Sequence, residues 1–358
     1  MSLPFKPHIA KLPAYKPPAV PPGLARVVDL SSNENPLGPS PKAVAALQEA
    51  AWTVHRYPDA SSADLKAALA EKHGLSPTNV AVSNGADEWV LLLCLSMLEP
   101  DDEVIMAWGS FISYWLRGTE MGAKVVRVPL QNYAHDLDAM FDALTPATRI
   151  VFCCNPNNPT GTIVDSRAME ILLARVPDRV LVVLDEAYVE YADGPDYFQS
   201  MDHLRAGRKN LIVLRSFSKV YGLAGLRVGY MLAHEQVIDY MERARPPFNV
   251  NRLAQVAALA ALGDEEHVRR SVAANEAAKQ FFYQKLRALG VPYILTYTNF
   301  MAIDVGRAAQ QVSGALLERG FVTTALGAWG VPNHVRFSFG TMEENEAFVD
   351  ALQEVLDL

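Results

Sequence analysis

The chain's 358 residues leave room for one large domain and a smaller one. Half of them are apolar and a fifth are charged, so the chain buries a sizeable core and is neither disordered nor collagen-like. Its 32 Lys and Arg against 40 Asp and Glu give a formal net charge of −8, which argues against nucleic acid as a partner. Cys94, Cys153 and Cys154 show no CxxC spacing and make an odd number. They support neither a disulfide framework nor a metal site, and they fit a reducing, cytoplasmic compartment. The start of the chain lacks a basic segment followed by an apolar one, and the longest apolar stretch, Trp89 to Leu98, is about half a membrane span. No membrane partner is expected.

In chain order, residues 1–23 come first with seven prolines, at 4, 7, 13, 17, 18, 21 and 22, a density that forbids helix and favours an extended arm. An arm over residues 1–39 must lie on something to be ordered, either the small domain or a partner subunit. A helix Pro41–Ala51 follows, with Ser40 as its N-cap and Pro41 at its first position. Over residues 40–247, apolar β-branched runs alternate with helical patterns. Val80–Ser83, Glu103–Ala107, Lys124–Val128, Arg149–Cys153, Val180–Leu184, Leu211–Leu214 and Val228–Leu232 read as strands, most of them apolar on both faces. Ser110–Met121 reads as a helix stopped by Gly122. The expected fold is α/β, a buried and mainly parallel sheet with helices on both faces. Past Pro246-Pro247 the patterns change. Helices Arg252–Leu262, Glu265–Leu289, Ala308–Arg319 and Glu343–Leu356, with short strands Phe300–Ile303 and Val335–Phe339, read as a smaller α+β domain over 248–358.

Several common signatures are missing. There is no GxxxxGK[ST] loop and no GxSxG elbow, the Gly222, Gly225, Gly229 spacing is not GxGxxG, and His234-Glu235 lacks the second histidine of a zinc helix. Four loops remain, each directly after an apolar strand and so at the carboxyl edge of the sheet, where open α/β folds bind ligands. Ser83-Asn84-Gly85-Ala86-Asp87-Glu88 leads into a helix start that suits a phosphate. In Asn155-Pro156-Asn157-Asn158-Pro159-Thr160-Gly161, two prolines stiffen the backbone and hold an amide side chain out from the strand end. Asp185 ends an apolar strand, with Tyr188 three residues on, and a carboxylate so desolvated needs a cation. The fourth loop, Ser216-Phe217-Ser218-Lys219, continues through glycines to Arg227 and sets an amine beside a second cation, the setting of a lysine that attacks carbonyls. Pyridoxal 5'-phosphate needs such a set: a lysine for its aldehyde, an anion cradle, a carboxylate for its ring nitrogen and donors for its phenolic oxygen.

With Ser32-Asn33-Glu34-Asn35-Pro36, Arg56-Tyr57-Pro58-Asp59 and Val335-Arg336-Phe337-Ser338-Phe339-Gly340-Thr341, these motifs resemble the histidinol-phosphate aminotransferase family of fold type I pyridoxal-phosphate-dependent transferases, over nearly the whole chain. The resemblance implies that Lys219 bonds the cofactor's aldehyde carbon, Asp185 pairs with the pyridine nitrogen, Asn158 and Tyr188 contact the phenolic oxygen, and Tyr114 stacks on the ring. It implies a phosphate held by Ala86, Asp87, Ser216, Ser218 and Arg227, and by Tyr57 reaching across a homodimer. It assigns substrate binding to Asn33, Arg336 and, from the arm, Tyr15. The implied partners are small molecules, an amino acid or amino-alcohol phosphate and a 2-oxo acid. The implied reaction exchanges an amino group between histidinol phosphate and 2-oxoglutarate, in histidine biosynthesis.

Two other readings keep the fold and change the substrate, to an aromatic amino acid or to a phosphorylated amino acid that is decarboxylated. A non-catalytic pyridoxal-phosphate-binding regulator would need an attached DNA-binding segment, and the short proline-rich arm does not provide one. One departure from the family concerns the substrate. Thr324 stands where a second arginine for the substrate's phosphate is usual, and Arg252 is a candidate stand-in.

Overall fold

Strands that are apolar on both faces are stable only between two layers of helix, and the chain folds that way. The computed structural model describes residues 4–14, 24, 26–192, 194 and 196–358. Among these residues a seven-stranded sheet runs in the spatial order Val80–Ser83, Gly229–Ala233, Leu211–Ser216, Leu181–Asp185, Thr148–Cys154, Glu103–Trp108, Lys124–Pro129. Gly229–Ala233 is antiparallel to both of its neighbours, and the remaining pairs are parallel. All seven strands read from the sequence are present, with ends moved by one or two residues at most.

The period-two alternation divides the sheet between two cores. Val151, Cys153, Val182 and Leu184 face one, packed with helices Pro41–Ala50, Ala63–His73, Ser166–Arg175 and Arg252–Leu262. Phe152, Cys154 and Val183 face the other, against helices Ala86–Met97, Ser113–Glu120 and Glu235–Ala244. A third core belongs to the C-terminal unit, where Phe282, Phe337 and Phe348 pack over an antiparallel sheet of Thr324–Ala325, His334–Ser338 and Phe300–Asp304.

The composition change at Pro246-Pro247 is not a change of core. Ala254, Ala257, Ala258 and Ala261 give helix Arg252–Leu262 a thin face that completes the first core of the sheet unit. The 25-residue helix Glu265–Leu289 then crosses from that core, at Val268 and Val272, to the third, at Ala278, Phe282 and Leu286. The arm's later residues cross in the same way. Val28–Asp29 pairs in parallel with Phe321–Val322, the Asn33 N–H donates to Ser338 Oγ (2.8 Å), and Asn35 Nδ2 donates to the Val220 carbonyl (2.9 Å). Residues 28–40 therefore tie the C-terminal unit to the lysine loop. No helix among the described residues is long and apolar enough to cross a membrane.

Candidate active site

Four strand ends form the floor of the site: Trp108, Cys154, Asp185 and Ser216. They open on a cavity of about 1240 Å³, which Asn33, Ala86, Asp87, Asn158, Tyr188, Ser218, Lys219, Arg227 and Arg336 also line. Among the sequence-derived site residues with a described position, Tyr114, Tyr57 and the candidate Arg252 do not line it.

One end is built for an anion. Gly85, at φ +82°, opens helix Ala86–Met97, and a Cβ there would lie 2.6 Å from Arg227 Nη2. A Cβ at Gly229 would lie 2.4 Å from the Ala86 nitrogen. Both glycines thus let a helix start, a strand and a guanidinium close up on one another. Ser216 Oγ accepts from the Ser218 N–H (3.0 Å), which fixes the Ser216 hydroxyl against the backbone of the lysine loop. The Asp87 carboxylate is taken up elsewhere, accepting from Ser113 Oγ and from Arg117 Nη2 (3.4 Å), so it does not oppose an anion at the helix start.

Asp185 is buried, 6 % exposed, and burial pushes its carboxyl up to about 6. Two hydrogen bonds work against that shift, from the Tyr114 hydroxyl to Oδ2 (2.7 Å) and from the Ala187 N–H to Oδ1 (3.1 Å). Tyr114 itself is fully buried, its ring parallel to Phe152 at 4.6 Å, and it offers no face to the cavity. The stacking role implied for Tyr114 is therefore corrected: it positions Asp185, and the aromatic of this segment on the cavity wall is Phe111. The cause is the helix start, at Ser113 instead of Ser110, which leaves Phe111 in the loop and sends Tyr114 into the second core. The sequence signal was there, two aromatics three residues apart in one motif.

Lys219 is half-buried on the cavity wall, its Nζ donating to the Ser32 carbonyl (3.2 Å) and lying 5.6 Å from the centre of the Tyr188 ring. Desolvation, then the charges of Arg336 and Arg227, lower its pKa to about 8, which leaves about a tenth of it neutral at pH 7. Burial pushes the Tyr188 hydroxyl up, so it stays a neutral donor, and it accepts from Asn33 Nδ2 (2.8 Å).

Arg336 is buried and held by Asn158 Oδ1, the Ser31 carbonyl and Thr324 Oγ1 (3.3 Å), while its Nε has no partner among the described residues. Desolvation lowers its pKa, and Tyr188 opposes the shift. Thr324 thus sits in the cavity beside Arg336, whereas Arg252 begins helix Arg252–Leu262 and is not part of the lining. Beneath Asn158, Asn157 donates to the Gly109 carbonyl (2.9 Å) and Thr160 Oγ1 (2.8 Å) and pairs with His135 Nε2 (3.1 Å). Asn157 and Ser32 lie in recognisable motifs, whereas His135 and Ser31 have no pattern to mark them. Tyr57 is 80 % exposed and stacks on Phe248 at 4.8 Å, outside its own chain's cavity. Tyr15 lies outside the described residues, although Pro13 and Ala14 line the cavity.

The arrangement offers an amine that is partly neutral, a carboxylate at a strand tip, a cradle for a phosphate and an arginine with a free donor. The family model for aminotransferases of class I and II matches residues 25–352. The chain is 47% identical to the histidinol-phosphate aminotransferase of Moorella thermoacetica over 334 residues, 93% of this chain and 86% of that relative. It is 43% identical to that of Akkermansia muciniphila over 358 residues, 98% of each chain. Its structure is similar to that of histidinol-phosphate aminotransferase from Sinorhizobium meliloti in complex with pyridoxal-5'-phosphate, with a TM-score of 0.90 at 26% identity, covering 100% of this chain and 98% of that one.

Proposed function

This chain belongs to the aminotransferase class I and II family, and on that premise we propose that it is a pyridoxal-phosphate-dependent histidinol-phosphate aminotransferase. It exchanges an amino group between histidinol phosphate and 2-oxoglutarate, in histidine biosynthesis. The observation that carries the reading is the meeting, in one cavity, of Lys219 with its pKa lowered to about 8, the strand-tip carboxylate of Asp185 and the anion cradle at Ala86, Ser216, Ser218 and Arg227.

The donor set fits the cofactor. Ala86, Ser216, Ser218 and Arg227 would hold its phosphate, Asp185 its ring nitrogen, and Asn158 and Tyr188 its phenolic oxygen, with Phe111 as the aromatic wall. Pyridoxal phosphate, when bound, supplies an aldehyde and a protonated ring able to spread the electron pair left when the substrate's α C–H bond breaks. Asp185 would keep that ring charged, because a buried carboxylate favours a cation beside it. Tyr114 keeps Asp185 ionised and in place. Lys219 Nζ would accept the proton leaving the substrate's α carbon, a task suited to an amine with a pKa lowered to about 8. Arg336, whose guanidinium is part of the cavity lining, orients the substrate by its anionic group. In the second half-reaction 2-oxoglutarate would take up the amino group, with Lys219 giving the proton back to the α carbon, and leave as glutamate.

We read the enzyme as a cytoplasmic homodimer with composite sites. The support is Tyr57, exposed and stacked on Phe248 at the surface. Mixing Lys219→Ala subunits with Tyr57→Ala subunits, each inactive alone, should then restore partial activity, and a fully active monomer would refute it. The substrate assignment is tested by offering the reconstituted enzyme histidinol phosphate, glutamate, phenylalanine and tyrosine one at a time and following loss of the bound aldehyde's visible absorbance. Histidinol phosphate and glutamate should both discharge it. Faster discharge by phenylalanine or tyrosine than by histidinol phosphate would move the assignment to an aromatic amino acid.

A further inference from the structure

The proposed reaction, on which this inference rests, asks one cavity to accept two unlike molecules. Glutamate and 2-oxoglutarate carry two carboxylates, whereas histidinol phosphate carries a single anionic group and an imidazole. Arg336 answers one anion. Its two Nη atoms are already engaged by Asn158, Ser31 and Thr324, which leaves it few donors for a second.

Beyond the reacting centre the cavity lining is aromatic, with Trp108, Phe111, Trp115 and Trp329, and Arg127 stands among them. Arg127 comes from the exposed edge strand Lys124–Pro129, in register with Met106, so it lies on the sheet face from which Trp108 projects two residues further on. Its guanidinium carbon is 4.2 Å from the centre of the Trp108 ring. Among the described residues it makes no hydrogen bond and no ion pair. The other cations of the lining are engaged: Lys219 on the Ser32 carbonyl, Arg227 on the Ala224 carbonyl, Arg336 as described.

Stacking is a particular way to hold an arginine. It uses the flat π face of the guanidinium and leaves the N–H edge free in the plane, ready for a two-pronged bond to a carboxylate. The ring beneath is itself fixed from the C-terminal unit. Gly330 has φ +82°, and a Cβ there would come within 2.6 Å of Trp108 Nε1, so the indole is seated against the turn that follows Trp329. The result is a cation oriented by an immobilised ring, with unused donors, on the wall of the substrate's cavity.

We propose that Arg127 is a specificity-determining residue that receives the side-chain carboxylate of glutamate and 2-oxoglutarate, while the aromatic wall beside it accepts the imidazole of the other substrate. Histidinol phosphate, with one anion, is answered by Arg336 alone.

The test compares 2-oxoglutarate with 2-oxobutyrate, which lacks the second carboxylate, as amino acceptors for the reconstituted wild type, Arg127→Gln and Arg127→Lys. In Arg127→Gln, kcat/KM for 2-oxoglutarate should fall by about tenfold or more relative to 2-oxobutyrate, through KM and not kcat. Arg127→Lys, which keeps the charge and loses the fork, should recover part of the preference. Equal losses on both acceptors, or no loss, would overturn the proposal. So would a loss confined to histidinol phosphate, which would assign Arg127 to the phosphate. Any amino donor that the wild type accepts serves for this comparison. A wild type inert toward histidinol phosphate would therefore sink the substrate reading and leave the result on Arg127 interpretable.

Discussion

The two ends of the cavity are made differently. The inner end, around Asp185, Ser216 and Lys219, is built on strand ends of a single sheet whose interior residues fill both of its cores. The outer end is gathered from the arm at Pro13 and Ala14, residues 31–34, the Trp108–Leu116 segment, helix Ala309–Glu318 and the stretch from Val322 to Trp329. The Trp108–Leu116 segment belongs to the second core of the sheet unit, whereas helix Ala309–Glu318 and the stretch up to Ala325 pack on the third, so the outer end lies where two packed bodies meet. The chemistry thus rests on the stiffest part of the molecule, where an error of position is costly, and recognition rests where two packed bodies meet and small changes of sequence are tolerated.

Substitutions at the inner end should strike turnover, and those at the outer end should strike KM. The largest effect is expected from Lys219→Ala, with kcat lower by about 10³-fold or more and no visible absorbance from a lysine-bound aldehyde. Its thermal midpoint should stay close to wild type, because Nζ makes one hydrogen bond, to Ser32. Asp185→Asn should keep the cofactor, which the phosphate cradle holds, and lose about 10²- to 10³-fold in turnover, measured under saturating pyridoxal phosphate. Normal turnover would show that the ring charge is maintained by some other group.

Arg336→Leu should sharpen the comparison by touching both ends. KM for glutamate and histidinol phosphate should rise by about ten- to a hundredfold, with kcat less affected. The same change also reaches Lys219. In the cofactor-free wild type, that amine should add to pyridoxal phosphate at a rate that climbs with pH and levels off above about 8, since its pKa is lowered to that value by burial and by Arg336 and Arg227. Removing Arg336 takes away a repelling charge, so the inflection should move to higher pH in stopped-flow absorbance. An inflection that stays in place would mean that burial and Arg227 set the value without Arg336. The smallest effect belongs to Tyr114→Phe. The lost hydrogen bond held the Asp185 carboxyl down, so its pKa should rise, the acid limb of the activity profile should move to higher pH, and turnover at neutral pH should fall by about two- to tenfold.

The difference between the two ends also governs how much was legible in the chain. Every strand of the large sheet was readable because a strand buried on both faces is a short apolar run bounded by turns, and the ligand loops follow those runs directly. Asp185, Lys219, Asn158 and the Gly85 turn came with them. The pattern starts helix Ser113–Glu120 three residues early, and that small shift exchanges Phe111 for Tyr114. A Pro-Pro pair resembles a domain boundary and assigns helix Arg252–Leu262 to the C-terminal unit, yet its alanine face fits against Pro41–Ala50.

Local pattern, then, determined the sheet, its loops and the reactive residues at their tips, because each depends on neighbours within a few positions along the chain. Tertiary structure alone decided that Tyr114 serves Asp185, that Ser31 and Ser32 carry carbonyls for Arg336 and Lys219, and that Arg127 lies over Trp108. Each of these contacts joins residues far apart in sequence or turns on which side of a segment faces inward. Which side that is depends on how the packed bodies close on one another, and no single stretch of sequence records it.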